Sequence, residues 1–174
     1  MELGCCFTGH RMLNEQVKLA LKTALDEQIR LLIQQGVEYF YAGGALGFDT
    51  LAAISVLELR RFYPEIRLFL VFPCHAQTRG WKERDCILYE QIKEQADGYL
   101  YITDAYERGC MFRRNRYLVD HSQYCICYQK KQTGGTAYTV RYAQNKGLEI
   151  INLADKLFFK DGEISNCDAN GNMK

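Results

Sequence analysis

The strongest constraint on this chain is an alternation repeated along nearly its whole length. Six short, largely apolar runs read as strands: Leu3–Phe7, Val37–Tyr41, Arg67–Phe72, Tyr99–Ile102, Tyr124–Tyr128 and Leu148–Ile151. Helical spacing fills the gaps between them. Asn14 can cap a helix in which Val17, Leu21, Ala24, Leu25, Ile29, Leu32 and Ile33 recur on one side, ended by Gly36. Asp49 to Phe62 reads as a largely buried helix closed by Pro64, and Glu83 to Gln95 as an amphipathic one. Met111 to Asp120 gives a fourth helix. A fifth opens at Gly134-Gly135-Thr136 and runs through Asn145 to a cap at Gly147. Strands separated by helices pair in parallel, and apolar strands of this kind are covered on both faces.

The expected fold is therefore a three-layer α/β domain of Rossmann-like type, with a mostly parallel sheet of about six strands. A chain of 174 residues is about one domain long. Residues 1–160 are assigned to it, and 161–174 to a polar, frayed tail. With 48% hydrophobic residues the chain is not disordered. No run approaches the ~20 apolar residues of a membrane span. Met1 to Phe7 enters a strand with no basic segment before it, unlike a signal peptide. Six of the eight cysteines (Cys5, Cys6, Cys74, Cys86, Cys125, Cys127) lie in or beside apolar runs, and there is no Cys-x-x-Cys. They read as buried free thiols in a reducing compartment, which places the protein in the cytoplasm. The spacing of Cys125 and Cys127 does not fit a zinc knuckle, so no metal is expected.

In an open parallel sheet, ligands bind beyond the carboxyl ends of the strands. The residues there are Thr8-Gly9-His10-Arg11 after the first strand, Gly43-Gly44-Ala45-Leu46-Gly47-Phe48-Asp49 after the second and Pro73-Cys74-His75 after the third. Thr103-Asp104 follows the fourth, and Lys130 to Thr136 the fifth. Glycine, hydroxyl and charged side chains collect on this one edge. Glycine loops that enter helices let backbone N–H groups approach an anion. The bland alternative for Gly43, Gly44, Gly47 and Asp49 is a tight turn with a capping aspartate. A second Gly-Gly pair at Gly134-Gly135-Thr136 is harder to explain as a turn alone. Neither loop is a Walker A motif, because no Gly-Lys-Ser/Thr follows.

Arg108 to Arg116 contains four arginines. On a helix, Met111, Leu118 and Val119 make an inward stripe with Asn115 on it and Arg114 at its margin. Such a pair calls for a partner, either a ligand phosphate or ribose, or a carboxylate such as Asp49 or Asp104. Arg116 and Asp120 stand at i,i+4 spacing for an ordinary ion pair. His10 is a candidate acid–base group. Trp81 is a candidate stacking platform for a base, or else a cover for a helix end. Cys110 lies beside the arginine cluster.

Taken in order, Cys6-Phe7-Thr8-Gly9-His10-Arg11, Gly43-Gly44-Ala45-Leu46-Gly47-Phe48-Asp49, Arg114-Asn115 with Val119-Asp120, and Gly134-Gly135-Thr136 resemble the YpsA-like branch of the SLOG superfamily, from about Leu3 to Ile151. That resemblance implies a Rossmann-like domain that binds nucleotides or nucleotide-derived ligands. Its relatives include the Lonely Guy phosphoribohydrolases and DNA-processing proteins. The enzymatic branch carries an arginine, matched by Arg114, and a Pro-Gly-Gly-x-Gly-Thr-x-x-Glu loop. Here the proline is missing, the loop is shorter, and Tyr138 and Thr139 stand where the glutamate would be. The implied binding half of the site is present and the implied catalytic half is not.

The preferred expectation is a ligand sensor that binds a nucleoside phosphate, NAD or ADP-ribose type molecule and reports to a protein partner. The implied ligand contacts are Thr8, Gly9, His10, Arg11, Gly43, Gly44, Gly47, Asp49, Trp81, Arg114, Asn115, Gly134, Gly135 and Thr136. An N-glycosidase is the alternative, with His10, Asp49 or Asp104 as candidate catalytic groups. Single-stranded DNA binding is the third reading. A net charge of +1 speaks against it, since nucleic-acid binders neutralise many phosphates. The resemblance also implies pairing of two copies through helices.

Overall fold

The computed structural model describes residues 3–160 and 163–166. Six strands form one all-parallel sheet: β1 (Leu3–Gly9), β2 (Val37–Ala42), β3 (Arg67–Phe72), β4 (Gly98–Tyr101), β5 (Tyr124–Tyr128) and β6 (Glu149–Asn152). Five helices connect them: α1 (Glu15–Gln34), α2 (Phe48–Leu59), α3 (Glu83–Gln95), α4 (Cys110–Asp120) and α5 (Gly135–Asn145). The strand order is β4-β3-β2-β1-β5-β6. The chain therefore builds outward from β1 in one direction, then returns to β1's other side and builds outward again. The turning point lies between β1 and β5, where Cys5 pairs with Tyr124 and Thr8 with Cys127.

Alternation along the strands divides the core into two. Cys5 and Phe7 face the layer of α1, α2 and α3, where Leu21, Leu25, Ile29, Phe48, Val56 and Tyr89 are buried. Cys6, Cys125 and Cys127 face the layer of α4 and α5, against Leu118, Val119, Val140 and Ala143. The Asn14 side chain accepts from Val17 N–H at 2.8 Å and caps α1 as its sequence position suggests. Helix α2 stops at Leu59, before the Phe62 expected from its apolar content. Seven described cysteines are free thiols, all buried except the half-buried Cys86. Among the described residues no cluster of His, Cys, Asp or Glu could hold a metal ion, and no helix is long and apolar enough to cross a membrane.

The chain does not end its structure at β6. Strands β7 (Leu157–Lys160) and β8 (Glu163–Asn166) pair antiparallel in a separate ribbon. Part of the segment read as a frayed tail is thus a strand. Residues 161–162 and 167–174 lie outside the described residues.

Candidate functional site

Strand order makes the β1/β5 junction the crevice where a parallel sheet offers a ligand two diverging loops. A cavity of about 250 Å³ opens there. Its floor is the end of β1 with the loop after it (Phe7, Thr8, Gly9, His10, Arg11), and Ala45 and Asp49 close one side. Met111, Arg114 and Asn115 of α4 and Gly135 and Thr136 of α5 close the other.

Arg114 organises this wall. It is only 5% exposed, and its Nε donates to Asn115 Oδ1 at 2.7 Å. Its Nη1 donates to the Gly43 carbonyl and lies 3.9 Å from Asp49 Oδ2. Burial draws the Arg114 guanidinium down from its ordinary range, with Asp49 opposing that and Arg11 adding to it. Burial pushes the Asp49 carboxyl up, against the pull of Arg114 and of two backbone donors. Those donors are the N–H groups of Gly43 at 3.1 Å and Ala45 at 3.4 Å. Asp49 therefore caps the glycine loop rather than the helix. The pairing with Asp49 is realised, and Asp104 is exposed and lies outside the cavity.

The inward stripe of α4 differs from the expected one. Cys110, Arg114, Leu118 and Val119 are buried, while Met111 and Asn115 are half-buried. The helix begins one residue earlier, and the 110–114–118 row faces the sheet. Arg116 does not pair with Asp120. It donates to the Tyr138 hydroxyl at 2.7 Å, while Asp120 takes Lys146 at 2.9 Å.

The two glycine loops are built differently. A Cβ at Gly43 would overlap the Arg114 guanidinium and stand 2.8 Å from Asp49 Oδ2. Gly47, at φ +79, rests on the carbonyls of His10 and Arg11, and Phe48 N–H is already spent on the His10 carbonyl at 3.2 Å. The first loop is filled by the protein's own atoms. At α5, no side chain caps the helix, and a Cβ at Gly135 would meet nothing within 4 Å. The N–H groups of its first turn have no partner inside the helix. Thr139, at the position where the resemblance would place a glutamate, is 1% exposed. It accepts from Asn115 Nδ2 at 2.8 Å and donates to the Gly135 carbonyl at 2.9 Å.

The remaining expected residues separate clearly. Thr8, Gly9, His10, Arg11, Asn115, Gly135 and Thr136 line the cavity with Arg114 and Asp49. Gly43, Gly44 and Gly47 support it from behind, and Gly134, at φ +91, turns the chain into α5. Trp81 is outside, edge-on to Tyr89 at 5.7 Å, where it covers α3. Cys110 is fully buried. His10 Nε2 accepts from Lys130 N–H at 3.0 Å, so its remaining nitrogen carries the proton. Burial, then Lys131 and Lys130, hold the His10 pKa below its ordinary value. Two contributors escaped the sequence reading. Gln77 donates to the Gly43 carbonyl at 3.1 Å, and Thr139 anchors Asn115. Neither stands in a motif.

This geometry has recognisable relatives. A sequence profile of the YspA SLOG family (YpsA) matches residues 5–154. The chain belongs to that family. A UPF0398 protein of Halalkalibacterium halodurans is 32% identical over 148 residues, covering 83% of this chain and 76% of the relative. Among solved structures, DNA processing protein A from Streptococcus pneumoniae superposes with a TM-score of 0.64 at 16% identity, over 86% of this chain and 49% of that one. The Helicobacter pylori protein of the same name, described for its single-stranded DNA binding mode, gives 0.60 at 20% identity, over 85% and 63%. This chain thus spans about half to two-thirds of those chains. At such identities the likeness is one of fold.

Proposed function

We propose that this protein binds a phosphorylated, nucleotide-type ligand in the β1/β5 crevice and signals its presence to a protein partner. The observation that carries the reading is an arginine, Arg114, that is only 5% exposed and yet lines a cavity. Arg11 faces the same cavity and the only wall carboxylate among the described residues, Asp49, is already tied to Arg114 and two N–H groups. One positive charge is therefore left over, beside an uncapped helix N-terminus. A phosphate answers both.

Binding without turnover is favoured by what the candidate catalytic groups do. The His10 Nε2 lone pair is engaged by Lys130, Asp49 is locked in the loop, and Thr139 occupies the glutamate position. The competing N-glycosidase reading lacks a carboxylate free to stabilise an oxocarbenium-like transition state. The test is titration calorimetry with nucleotides on wild type and Arg114→Lys, each mixture checked for free base by mass spectrometry. Lysine keeps the charge and loses the planar fork, so affinity should fall at least tenfold with the nucleotide intact. Unchanged affinity would remove Arg114 from the site, and released base would make the protein an enzyme.

A further inference from the structure

The crevice does not end at Arg114. A second cavity of about 590 Å³ adjoins it, with His10 and Arg11 forming walls of both. Its other walls are Met12, Leu13, Asn14 and Val17 from the start of α1, and Tyr128, Lys130 and Lys131 from the end of β5. The first cavity, at about 250 Å³, falls below the ~300–1,000 Å³ range of sites that enclose a whole small-molecule ligand. The pair together lies inside it. A ligand whose phosphate sits at Arg114 has room to continue past His10.

The charge of the walls says what continues. Across both cavities the lining holds Arg11, Arg114 and Lys131 against one carboxylate among the described residues, that of Asp49. No acidic side chain among the described residues lines the second cavity. The whole chain carries only +1, so a local excess at these walls is offset by acidic residues elsewhere. Arg11 and His10 stand at the junction, and Lys131 lies close enough to depress the His10 pKa. Beyond that cationic neck, Leu13, Val17 and the Tyr128 ring supply apolar wall for a flat, weakly polar group.

We infer that the ligand is a nucleotide with two linked phosphates, one held by Arg114 and the α5 N-terminus, the next held at the junction by Arg11 and Lys131, with its nucleoside in the second cavity. This rests on the phosphate reading of the first cavity and adds the ligand's phosphate count and direction. His10 is then a positioning residue. Its Nε2 fixes the Lys130 backbone, and so sets where the two lysine side chains leave the loop.

The experiment compares matched nucleoside mono- and diphosphates of adenine, guanine and uracil by titration calorimetry. It uses the full chain as wild type, Lys131→Glu and Arg114→Lys. Lys131 is exposed, so its charge reversal leaves the fold intact, which melting temperature verifies. At least one diphosphate should bind ten times more tightly than its monophosphate. Lys131→Glu should weaken the diphosphate far more than the monophosphate and so abolish that advantage. Arg114→Lys should weaken both. If mono- and diphosphate bind equally and Lys131→Glu changes neither, the two-phosphate inference is wrong and the single-phosphate site stands. If neither class binds to wild type, both readings fall.

Discussion

The two glycine-rich loops look alike in sequence and differ in structure. Each follows a parallel strand, and each leads into a helix. At Gly43–Gly47 every tight approach is made by the protein to itself: the Arg114 guanidinium crowds Gly43, Phe72 crowds Gly44, and backbone carbonyls of the β1 loop crowd Gly47. At Gly134-Gly135, space for an added carbon is open on both residues. A glycine whose missing side chain is replaced by neighbouring protein atoms is explained by packing. One that faces an open, cationic cavity is not. The comparison separates a loop that holds Arg114 in place from one left open beside the cavity, where the proposed ligand would enter.

The largest effect should come from filling the first loop. Gly43→Ala forces a carbon into the Arg114–Asp49 contact, and overpacking of this kind costs about 1–3 kcal/mol. Urea denaturation should show the midpoint falling in the absence of any ligand. A wild-type midpoint would mean that Arg114 is free to move and that the loop is not its scaffold.

A smaller effect concerns the proton on His10, which ties the β1 loop to the chain that leads into the second glycine pair. Its folded-state pKa is depressed below 6.5 by burial and by Lys131 and Lys130. The stability it contributes is thus fully present above about pH 6.5 and is lost as pH falls through the lower, folded value. Melting temperature should drop between pH 7 and 5 more steeply in wild type than in His10→Gln. Parallel curves would show that the Lys130 N–H bond contributes nothing to the hold between these loops.

Much of this was legible in the sequence because parallel, doubly covered strands announce themselves as short apolar runs. All six appear, β3 and β5 at the expected bounds and the other four displaced by a residue or two at their ends. Helix α4 shows where legibility stops. Its inward row follows the sheet it packs on, so Arg114 went inside ahead of Asn115, which a stripe drawn through Met111, Leu118 and Val119 did not show. The expected Arg116–Asp120 pair lost to Tyr138 and Lys146 on α5, partners that only the packing of two helices brings near. Strand β8 stood in the segment 161–174, read as a polar tail, and so left no strand signal. Gln77 and the second cavity left no local signal, because each is made by side chains from separate loops. Trp81, read as a stacking platform or a cover for a helix end, takes the second place, over α3.

The most direct test of the central contrast is a thermal-shift measurement on Gly135→Ala beside wild type, with and without the nucleoside diphosphate that wild type binds best. A ligand at a hundred times its dissociation constant adds about 2.7 kcal/mol, roughly 5–10 °C for a domain of this size. The added methyl meets no protein atom within 4 Å. The ligand-free variant should therefore melt within about 2 °C of wild type, since substitutions that disturb no packing usually stay within about 0.5 kcal/mol. Its ligand-induced shift should be lost. A full shift in Gly135→Ala would contradict the account, because the α5 loop would then be a turn like the first and the ligand would bind elsewhere.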